Sequence, residues 1–244
     1  GYATRFIEYL DDALKTYVAG VRFGEATDTY DASGTVTALG DASDLTAAAI
    51  RRELAEFVGE IVQMPPLFSA IKVAGKPLYR YAREGTDVSV AARTVYVESA
   101  ELRSYADGIA EIEVRCGKGT YIRSIAHDLG DRLGCGAHLA GLRRTGSGGF
   151  GAGDAHSTEE LESLADEGRL DEAMLAADRA VERRPAAIFA SGHGVDVLSG
   201  RDVSFEMTRA ADLCRAYSTE GDFLGVLRHQ GKGVWHPEKV VQAS

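Results

Sequence analysis

The segment that most constrains the fold runs from Cys116 to Arg123, with the sequence CGKGTYIR. Ile109–Arg115 before it alternates apolar and polar residues, which is typical of a strand. Tyr121–Leu133 after it carries apolar residues at helical spacing. The segment therefore predicts a strand, a tight glycine turn and a helix. Glycines allow a backbone to approach a ligand closely, and the N-terminus of a helix attracts anions.

Arg123 falls in the first turn of this predicted helix. A cation is unfavourable there because the helix dipole is positive at its N-terminus. We therefore expect a carboxylate or a phosphate to hold the guanidinium in place. The alternative is a structural turn in which Arg123 pairs at the surface.

Hydrophobic periodicity along the whole chain predicts an α+β fold, with a mixed, mainly antiparallel sheet flanked by helices. Thr94–Tyr105 and Ile109–Cys116 are separated by only three residues that end in Gly108, so they predict an antiparallel hairpin. The further predicted elements are strands at 17–23, 69–73 and 138–144 and helices at 2–13, 46–58, 77–84, 121–133, 158–165 and 170–177.

The chain is predicted to divide into a first domain over residues 1–180 and a small β-rich domain over residues 181–244. Gly146–Gly153 contains five glycines in eight positions, which is typical of a hinge or a loop. Ser157–Glu160 predicts a capping box at the start of a helix. From Pro185 onward, short apolar runs are separated by many glycines, and this pattern favours a small β-rich domain.

The distribution of charge leaves nucleic acid open as a partner, although the net charge is −10. Residues 1–153 carry 17 Lys and Arg against 20 Asp and Glu, whereas residues 154–244 carry 10 against 17. The first part is nearly balanced, so it is able to present a basic stripe. No apolar run approaches the length that a membrane-spanning helix requires.

The three cysteines, Cys116, Cys135 and Cys214, are odd in number and show no zinc-like spacing. We expect them to be free, buried thiols in a reducing cytosol, and therefore expect a cytoplasmic protein.

Several segments carry the motifs of one family in that family's order. They are Gly1–Arg5 (GYATR), Lys15–Tyr17 (KTY), Thr27–Gly34 (TDTYDASG), Gln63–Lys72 (QMPPLFSAIK) with Gly75 and Tyr79–Arg83, and Lys118–Arg123 (KGTYIR) with Asp128–Gly130 and Leu142–Arg144. In this combination the chain resembles the TruB family, the bacterial tRNA pseudouridine-55 synthases. The resemblance is dense over residues 1–150. The tail from Pro185 resembles the family's small C-terminal RNA-binding module, a PUA-like domain, only loosely.

The resemblance implies an isomerase that flips uridine 55 of the tRNA T-loop out of its stack and rejoins the base through C5 instead of N1. Such enzymes use a nucleophilic aspartate, a tyrosine stacked on the target base and an arginine paired with the aspartate. By motif match the tyrosine is Tyr17, the arginine is Arg123, and Leu142 is an apolar residue beside the flipped base. The resemblance implies no metal and no organic cofactor.

The tRNA T-stem-loop is the partner that the resemblance implies, and we expect a monomeric protein. The residues expected at the RNA-binding face are Asp31, Lys72, Arg83, Lys118, Arg143 and Arg144.

Elementary chemistry agrees with these roles. A flipped uracil needs an aromatic platform, and the hydroxyl of Tyr17 is able to relay the C5 proton. A nearby arginine keeps a nucleophilic carboxylate ionised. The plainer alternatives are a core tyrosine at Tyr17 and an Asp31 that only stabilises its own loop. Arg143 and Arg144 are adjacent on a predicted strand, so at most one of them faces the pocket.

The family's nucleophilic aspartate lies in a G-H-x-G-x-L-D-P-x-A-x-G segment, and no such segment occurs in the 244 residues. Asp28 and Asp31 lie in a suggestive loop, but their motif positions are not that of the nucleophile. Because the chain begins at Gly1 and not at methionine, we expect a preceding part to be missing and the chain as given to be catalytically incomplete.

Two other functions compete with the isomerase. The first is a non-catalytic RNA-binding module. The second is a phosphate-binding metabolic enzyme that uses the turn at Lys118–Gly119. That enzyme would need a parallel sheet and a P-loop or dinucleotide fingerprint, and neither motif is present.

Overall fold

The computed structural model of the chain describes residues 2–10, 14–86 and 88–241. These residues form two compact units, one within residues 13–147 and the other within residues 1–12 and 148–244. The division by contacts falls after residue 147, inside the glycine-rich stretch, whereas the sequence predicts a boundary after residue 180. The assignment of functional domains to residues 1–180 and 181–244 stays a prediction. Gly1 of the first motif and residues 11–13 of the first predicted helix lie outside the described residues.

The unit within residues 13–147 contains most of the motifs. Its elements are β1 (Lys15–Phe23), β2 (Glu25–Thr27), β3 (Val36–Leu39), α1 (Ala47–Ala55), β4 (Gly59–Gln63), β5 (Lys72–Val73), β6 (Lys76–Pro77), α2 (Leu78–Arg83), β7 (Arg93–Ala106), β8 (Ile109–Cys116), α3 (Ile122–Arg132) and β9 (Ala137–Ser147). The predicted strand at 69–73 is reduced to the two residues of β5. The carbonyls of Ser69 and Ile71 accept hydrogen bonds from Tyr79 and Leu78, which folds this segment back onto the start of α2.

Strands β9, β1, β8, β7 and β4 lie side by side in that order, and each adjacent pair is antiparallel. The β7–β8 hairpin has the predicted turn, with Asp107 and Gly108 both at positive φ. This antiparallel sheet contradicts the parallel sheet that a phosphate-binding metabolic enzyme would require. The chain is an α+β protein with a mainly antiparallel sheet.

Helices α1 and α3 pack on one face of this sheet because each has an apolar stripe. Ile50 and Leu54 of α1 and Ile125 and Leu129 of α3 are almost fully buried with side chains of β1 and β8. Thr46 caps α1 by accepting a hydrogen bond from the backbone N–H of Ala49. The strand, turn and helix predicted around residues 109–133 are confirmed.

Gly130 allows α3 to approach the start of β9 at backbone distance. A Cβ atom at this position would lie 2.1 Å from the backbone nitrogen of Ala137. The carbonyl of Gly130 also accepts hydrogen bonds from the amides of Cys135 and Gly136, which end the helix and turn the chain into β9. Any side chain here would push α3, and with it Arg123, away from the sheet.

In the second unit, the helix predicted at 170–177 is replaced by a 3-10 helix at Leu170–Ala173 and another that begins at Ala177. The helix predicted at 2–13 is a 3-10 helix over Tyr2–Leu10. The elements of this unit are 3-10 helices at Tyr2–Leu10, Ala152–Asp154, Leu170–Ala173 and Ala177–Val181, α4 (Thr158–Asp166), α5 (Ser191–Leu198), and strands β10 (Phe150–Gly151), β11 (Ala186–Phe189), β12 (Val203–Ser204), β13 (Leu213–Ser218), β14 (Phe223–Gly231) and β15 (Val234–Val240). The capping box predicted at Ser157–Glu160 is confirmed.

The C-terminal strands form a sheet of their own, in the order β11, β13, β14, β15, β12. Its apolar core contains Phe189, Val197, Leu227 and Trp235. The predicted small β-rich fold is therefore present in this part of the chain. Within residues 2–10, 14–86 and 88–241, no helix has both the length and the apolar character needed to cross a bilayer. The three cysteines are free and buried, as predicted.

We predict that Gly130→Ala lowers the free energy of unfolding by about 1–2 kcal/mol in net terms, because the added methyl group overpacks the contact with β9 at a cost of about 2–3 kcal/mol. This cost exceeds the gain of about 1 kcal/mol expected from the higher helix propensity of alanine. Denaturant unfolding measures the difference. Gly141→Ala is the control, because a Cβ atom there meets no neighbouring atom within 4 Å. Equal stability of the Gly130→Ala variant and the unmodified chain would contradict the close approach.

Candidate active site

Tyr17, Leu142 and Arg144 share one face of the β1–β9 pair. In the antiparallel register, Tyr17 lies opposite Arg144 and Ala19 lies opposite Leu142. Because alternate residues of a strand point to the same face, Tyr17 and Ala19 face the side that Leu142 and Arg144 face. Arg143 lies opposite Val18 and faces the other side. Of the two adjacent arginines, Arg144 is therefore the one beside Tyr17.

Tyr17 is half-buried at the edge of the apolar core. Burial raises the pKa of Tyr17, and the nearby thiol of Cys116 adds to this effect. The charge of Arg144 and its hydrogen bond with the phenol act in the opposite direction. The phenol is thus a neutral group at physiological pH, with one side against the core and its hydroxyl next to a guanidinium.

Arg123 lies at the start of α3, where its guanidinium has three acceptors. It donates to Asp31 Oδ2 at 2.9 Å, to the carbonyl of Phe68 at 2.9 Å and to the carbonyl of Thr29 at 3.4 Å. The side chains of Arg123 and Asp31 are 25% and 24% exposed, so the ion pair is only partly screened by water. The carboxylate expected from the helix dipole is present, and it is that of Asp31.

Asp31 is fixed by its own loop. One carboxylate oxygen accepts hydrogen bonds from the hydroxyl of Thr29 and from the amide and hydroxyl of Ser33, and the other accepts from Arg123. Burial opposes ionisation, but the hydrogen bonds from Ser33 and Thr29 and the charge of Arg123 outweigh it, so the pKa of Asp31 is lowered. Asp31 therefore stabilises its loop, as the plainer alternative holds, and also pairs with Arg123.

The loop that carries Asp31 is joined to the strand that carries Leu142. The amide of Ala32 donates to the carbonyl of Leu139, and the amide of Leu139 donates to the carbonyl of Tyr30. Leu139 precedes Leu142 by three residues on β9. The ion pair is therefore connected through the backbone of β9 to the face that carries Tyr17 and Leu142.

Tyr17 and Arg123 lie on the same side of the sheet. Tyr17 packs against the apolar cluster that α3 covers, and this cluster includes Ile122, the residue next to Arg123. Val114 lies opposite Tyr17 on β8 and belongs to the same cluster. A phenol and a guanidinium thus lie on one side of one sheet, and the catalytic roles of Tyr17 and Arg123 stay predictions.

Besides loop 27–34, residues 63–69 also hold the start of α3, and the sequence did not predict this role. The side-chain amide of Gln63 donates to the carbonyl of Tyr121 at 3.0 Å and accepts from the amide of Tyr121 at 2.8 Å. The hydroxyl of Ser124 donates to the carbonyl of Met64. The Q-x-P-P motif was visible in the sequence, but its contact is made with residues 58 positions away.

The remaining predicted RNA-binding residues are exposed and spread over three places. Lys118 lies in the turn between β8 and α3. Lys72 lies on β5, and Arg83 ends α2, where its guanidinium lies 5.6 Å from the ring centre of Tyr79. Their roles stay predictions. In the described part of the chain, no group of three His, Cys, Asp or Glu side chains is placed to hold a metal ion.

Comparison with protein families decides the relationship. The model of the TruB family pseudouridylate synthase N-terminal domain matches residues 1–122. The model of the tRNA pseudouridylate synthase B C-terminal domain matches residues 123–182. The chain belongs to the TruB family. The resemblance drawn from the motifs is confirmed.

Curated relatives agree with this membership. A protein of Dehalococcoides mccartyi named tRNA pseudouridine synthase B is 38% identical over 240 residues, which are 98% of this chain and 80% of the relative. A protein of Aromatoleum aromaticum with the same name is 42% identical over 241 residues, which are 99% of this chain and 77% of that relative.

Solved structures share the fold at lower identity. The chain is similar to one in the crystal structure of a Cbf5–Nop10–Gar1 complex, with a TM-score of 0.69, 24% identity and coverage of 95% of this chain and 64% of that one. It is also similar to one in the structure of an H/ACA RNP bound to a substrate RNA containing 2′-deoxyuridine, with a TM-score of 0.71, 22% identity and coverage of 99% and 70%. At these identities the likeness shows the fold alone.

We predict that Asp31→Asn lowers the free energy of unfolding at pH 7 by about 1–3 kcal/mol, because the charged acceptor of Arg123 is lost. A carboxylate with a lowered pKa stabilises the fold above its unfolded pKa, and this stability is lost as the pH falls through the folded pKa. The difference between the variant and the unmodified chain should therefore shrink as the pH falls below about 4.

The control is Asp28→Asn, since Asp28 accepts a hydrogen bond from the amide of Thr35 in the same loop and the asparagine oxygen is able to accept it too. Unfolding by urea between pH 3 and pH 7 measures all three proteins. A constant difference between Asp31→Asn and the unmodified chain over this range would contradict the ion pair.

Proposed function

We propose that the protein modifies tRNA by converting uridine 55 of the T-loop to pseudouridine. Membership of the TruB family supports an RNA pseudouridine synthase. The observation that carries the proposal is the arrangement of Tyr17 and Arg123 on one side of the sheet, with the guanidinium already fixed by Asp31. The proposed partner is the T-stem-loop of tRNA, and the proposed location is the cytoplasm.

The reaction breaks the C1′–N1 glycosidic bond, turns the uracil and forms a C1′–C5 bond. The proton at C5 leaves, N1 gains a proton, and no oxidant or reductant is needed. We propose that Tyr17 stacks on the flipped uracil and offsets part of the stacking that the base loses. We propose that its hydroxyl, neutral and beside Arg144, relays the C5 proton. No metal or organic cofactor takes part in this scheme.

Arg123 is the partner of the nucleophilic aspartate in this proposal. Its contacts with Asp31, Phe68 and Thr29 account for three of the five N–H donors of a guanidinium. The remaining donors suit a second carboxylate, whose pKa the positive charge would lower. Because Asp31 and the carbonyl of Phe68 hold the guanidinium in advance, little reorganisation is needed when Arg123 pairs with the nucleophilic aspartate.

Leu142 and the exposed cations complete the proposed RNA surface. Leu142 is 49% exposed on the face of Tyr17, which suits an apolar contact beside the flipped base. Arg144 lies on the same face, and we propose that it contacts RNA, as do Lys118, Lys72 and Arg83 at the margins of this face and Arg143 on the other face of the strand. Such cations contribute affinity through the phosphate backbone and not through base identity. We propose that Asp31 acts on RNA indirectly, by holding Arg123.

We propose that residues 1–244 by themselves bind the T-stem-loop but form no pseudouridine, because they contain no match to the family's aspartate segment. We also propose that residues 1–180 form the catalytic domain, that residues 181–244 form a PUA-like RNA-binding domain, and that the protein acts as a monomer. The competing function is a non-catalytic RNA-binding module, which shares the binding step and lacks the chemical step.

The test compares two proteins, the 244-residue chain and the same chain preceded by a family-type segment that carries the aspartate. Both should bind a T-stem-loop by fluorescence anisotropy, and only the second should release tritium from uridine labelled at C5. A stem-loop with cytidine at the target position is the control. Tritium release by the 244-residue chain alone would contradict the proposal that these residues lack the nucleophile. Absence of binding by both proteins would contradict the proposed substrate.

We predict that Arg123→Lys in the longer protein lowers the rate of pseudouridine formation by about 100-fold or more, the effect of removing a fixed donor at a reacting carboxylate. A lysine carries the charge but not the planar fork that serves Asp31 and a second carboxylate together. Single-turnover tritium release measures the rate. Arg52→Lys is the control, since Arg52 pairs with Glu53 on α1. An unchanged rate in the Arg123→Lys protein would contradict the proposed pairing.

A further inference from the structure

Tyr30 has a backbone conformation that a tyrosine rarely adopts. Its φ is +64°, in the left-handed region, where a bulky side chain is unfavourable and glycine or asparagine is favoured. Such a residue persists only where its surroundings determine it, and its side chain then has a specific contact to maintain. In this loop the backbone alone would be satisfied by glycine.

The ring of Tyr30 lies flat on the imidazole of His127. The ring centres are 3.8 Å apart and the planes differ by 9°. His127 belongs to α3 and follows Arg123 by four residues, so the two side chains lie one above the other on the same side of that helix. The stack therefore joins the loop to α3 one turn beyond the ion pair.

Both neighbours of Tyr30 in the sequence bind Arg123. Thr29 supplies its carbonyl and Asp31 its carboxylate. The carbonyl of Tyr30 itself accepts a hydrogen bond from the amide of Leu139 on β9. Tyr30 thus lies at the centre of the stretch 29–31, which contacts α3 at Arg123 and His127 and contacts β9 at Leu139.

We propose that Tyr30 and His127 are positioning residues, whose stacked rings set the distance between loop 27–34 and α3 and so hold Asp31 against Arg123. This inference rests on the proposed function for its relevance to catalysis, but the geometry that it concerns is testable without RNA. Neither ring touches the reacting base in this account. Their effect reaches the active site only through the orientation of the Arg123 guanidinium.

Charged groups lie near the stack, so the variants must distinguish the effect of ring contact from the effect of these charges. His127 Nε2 lies 3.4 Å from Asp131 Oδ2, one turn further along α3. Burial raises the pKa of Tyr30, and Asp128 and Asp131 add to this effect, so the phenol is neutral. Tyr30→Phe and His127→Phe keep two flat rings and remove the polar atoms. Tyr30→Gly and His127→Ala remove one ring each.

The experiment follows the Nη–H signal of Arg123 by NMR in the 244-residue chain, assigned by its loss in Arg123→Lys, because the Nη atoms donate to Asp31 and to the carbonyl of Phe68. In Tyr30→Gly and in His127→Ala, its proton exchange with water should become about three- to tenfold faster, the range expected from the coupling of an aromatic pair. Tyr30→Phe and His127→Phe should keep the original rate. The double variant Tyr30→Gly/His127→Ala should match either single variant, because both remove the same contact.

Asp107→Gly is the control for the backbone, since Asp107 also has a positive φ, in the turn between β7 and β8. It should leave the Arg123 signal unchanged. If a variant fails to fold, Tyr30→Asn replaces Tyr30→Gly, because asparagine tolerates the left-handed region. An unchanged Arg123 exchange rate in folded Tyr30→Gly, or additive effects in the double variant, would overturn the proposal.

Binding of the T-stem-loop distinguishes failure of this inference from failure of the proposed function. If Arg123 exchange responds as expected but the unmodified chain does not bind the stem-loop, the positioning pair stands and the proposed substrate is wrong. If the unmodified chain binds the stem-loop and Arg123 exchange is the same in every variant, the substrate stands and the positioning pair is wrong.

Discussion

The ion pair between Arg123 and Asp31 is the interaction on which the site depends. An arginine in the first turn of α3 opposes the helix dipole, and an aspartate beside the same turn compensates both the dipole and the charge. Hydrogen bonds from Thr29 and Ser33 fix the orientation of the Asp31 carboxylate in its loop, so its other oxygen faces Arg123. A guanidinium fixed in this way keeps its planar fork in one orientation before any substrate arrives.

Three parts of the scaffold hold the pair in position relative to Tyr17. Loop 27–34 is bonded to the backbone of β9 at Leu139, and β9 lies beside β1, which carries Tyr17. Residues 63–69 clasp the start of α3 through Gln63 and the carbonyl of Phe68. The close approach at Gly130 fixes the far end of the same helix against the sheet. Hydrogen bonds therefore fix loop 27–34 to β9 and residues 63–69 to the start of α3.

The local order of the chain could be predicted from the sequence because periodicity and turn residues are local signals. The strand, turn and helix around residues 109–133 follow from this, and so does the need of Arg123 for an anion. The identity of that anion could not be predicted, because Asp31 is 92 residues away in the sequence and meets α3 only through tertiary folding. The same holds for Gln63, and for the stack of Tyr30 on His127, where a left-handed tyrosine contradicts local preference.

A crystal structure of the chain bound to a T-stem-loop tests the central claim most directly. The account predicts a flipped uracil stacked on the ring of Tyr17, with Arg123 still within hydrogen-bond distance of Asp31. A uracil bound elsewhere, or an Arg123 that has left Asp31 to bind a phosphate, would contradict it.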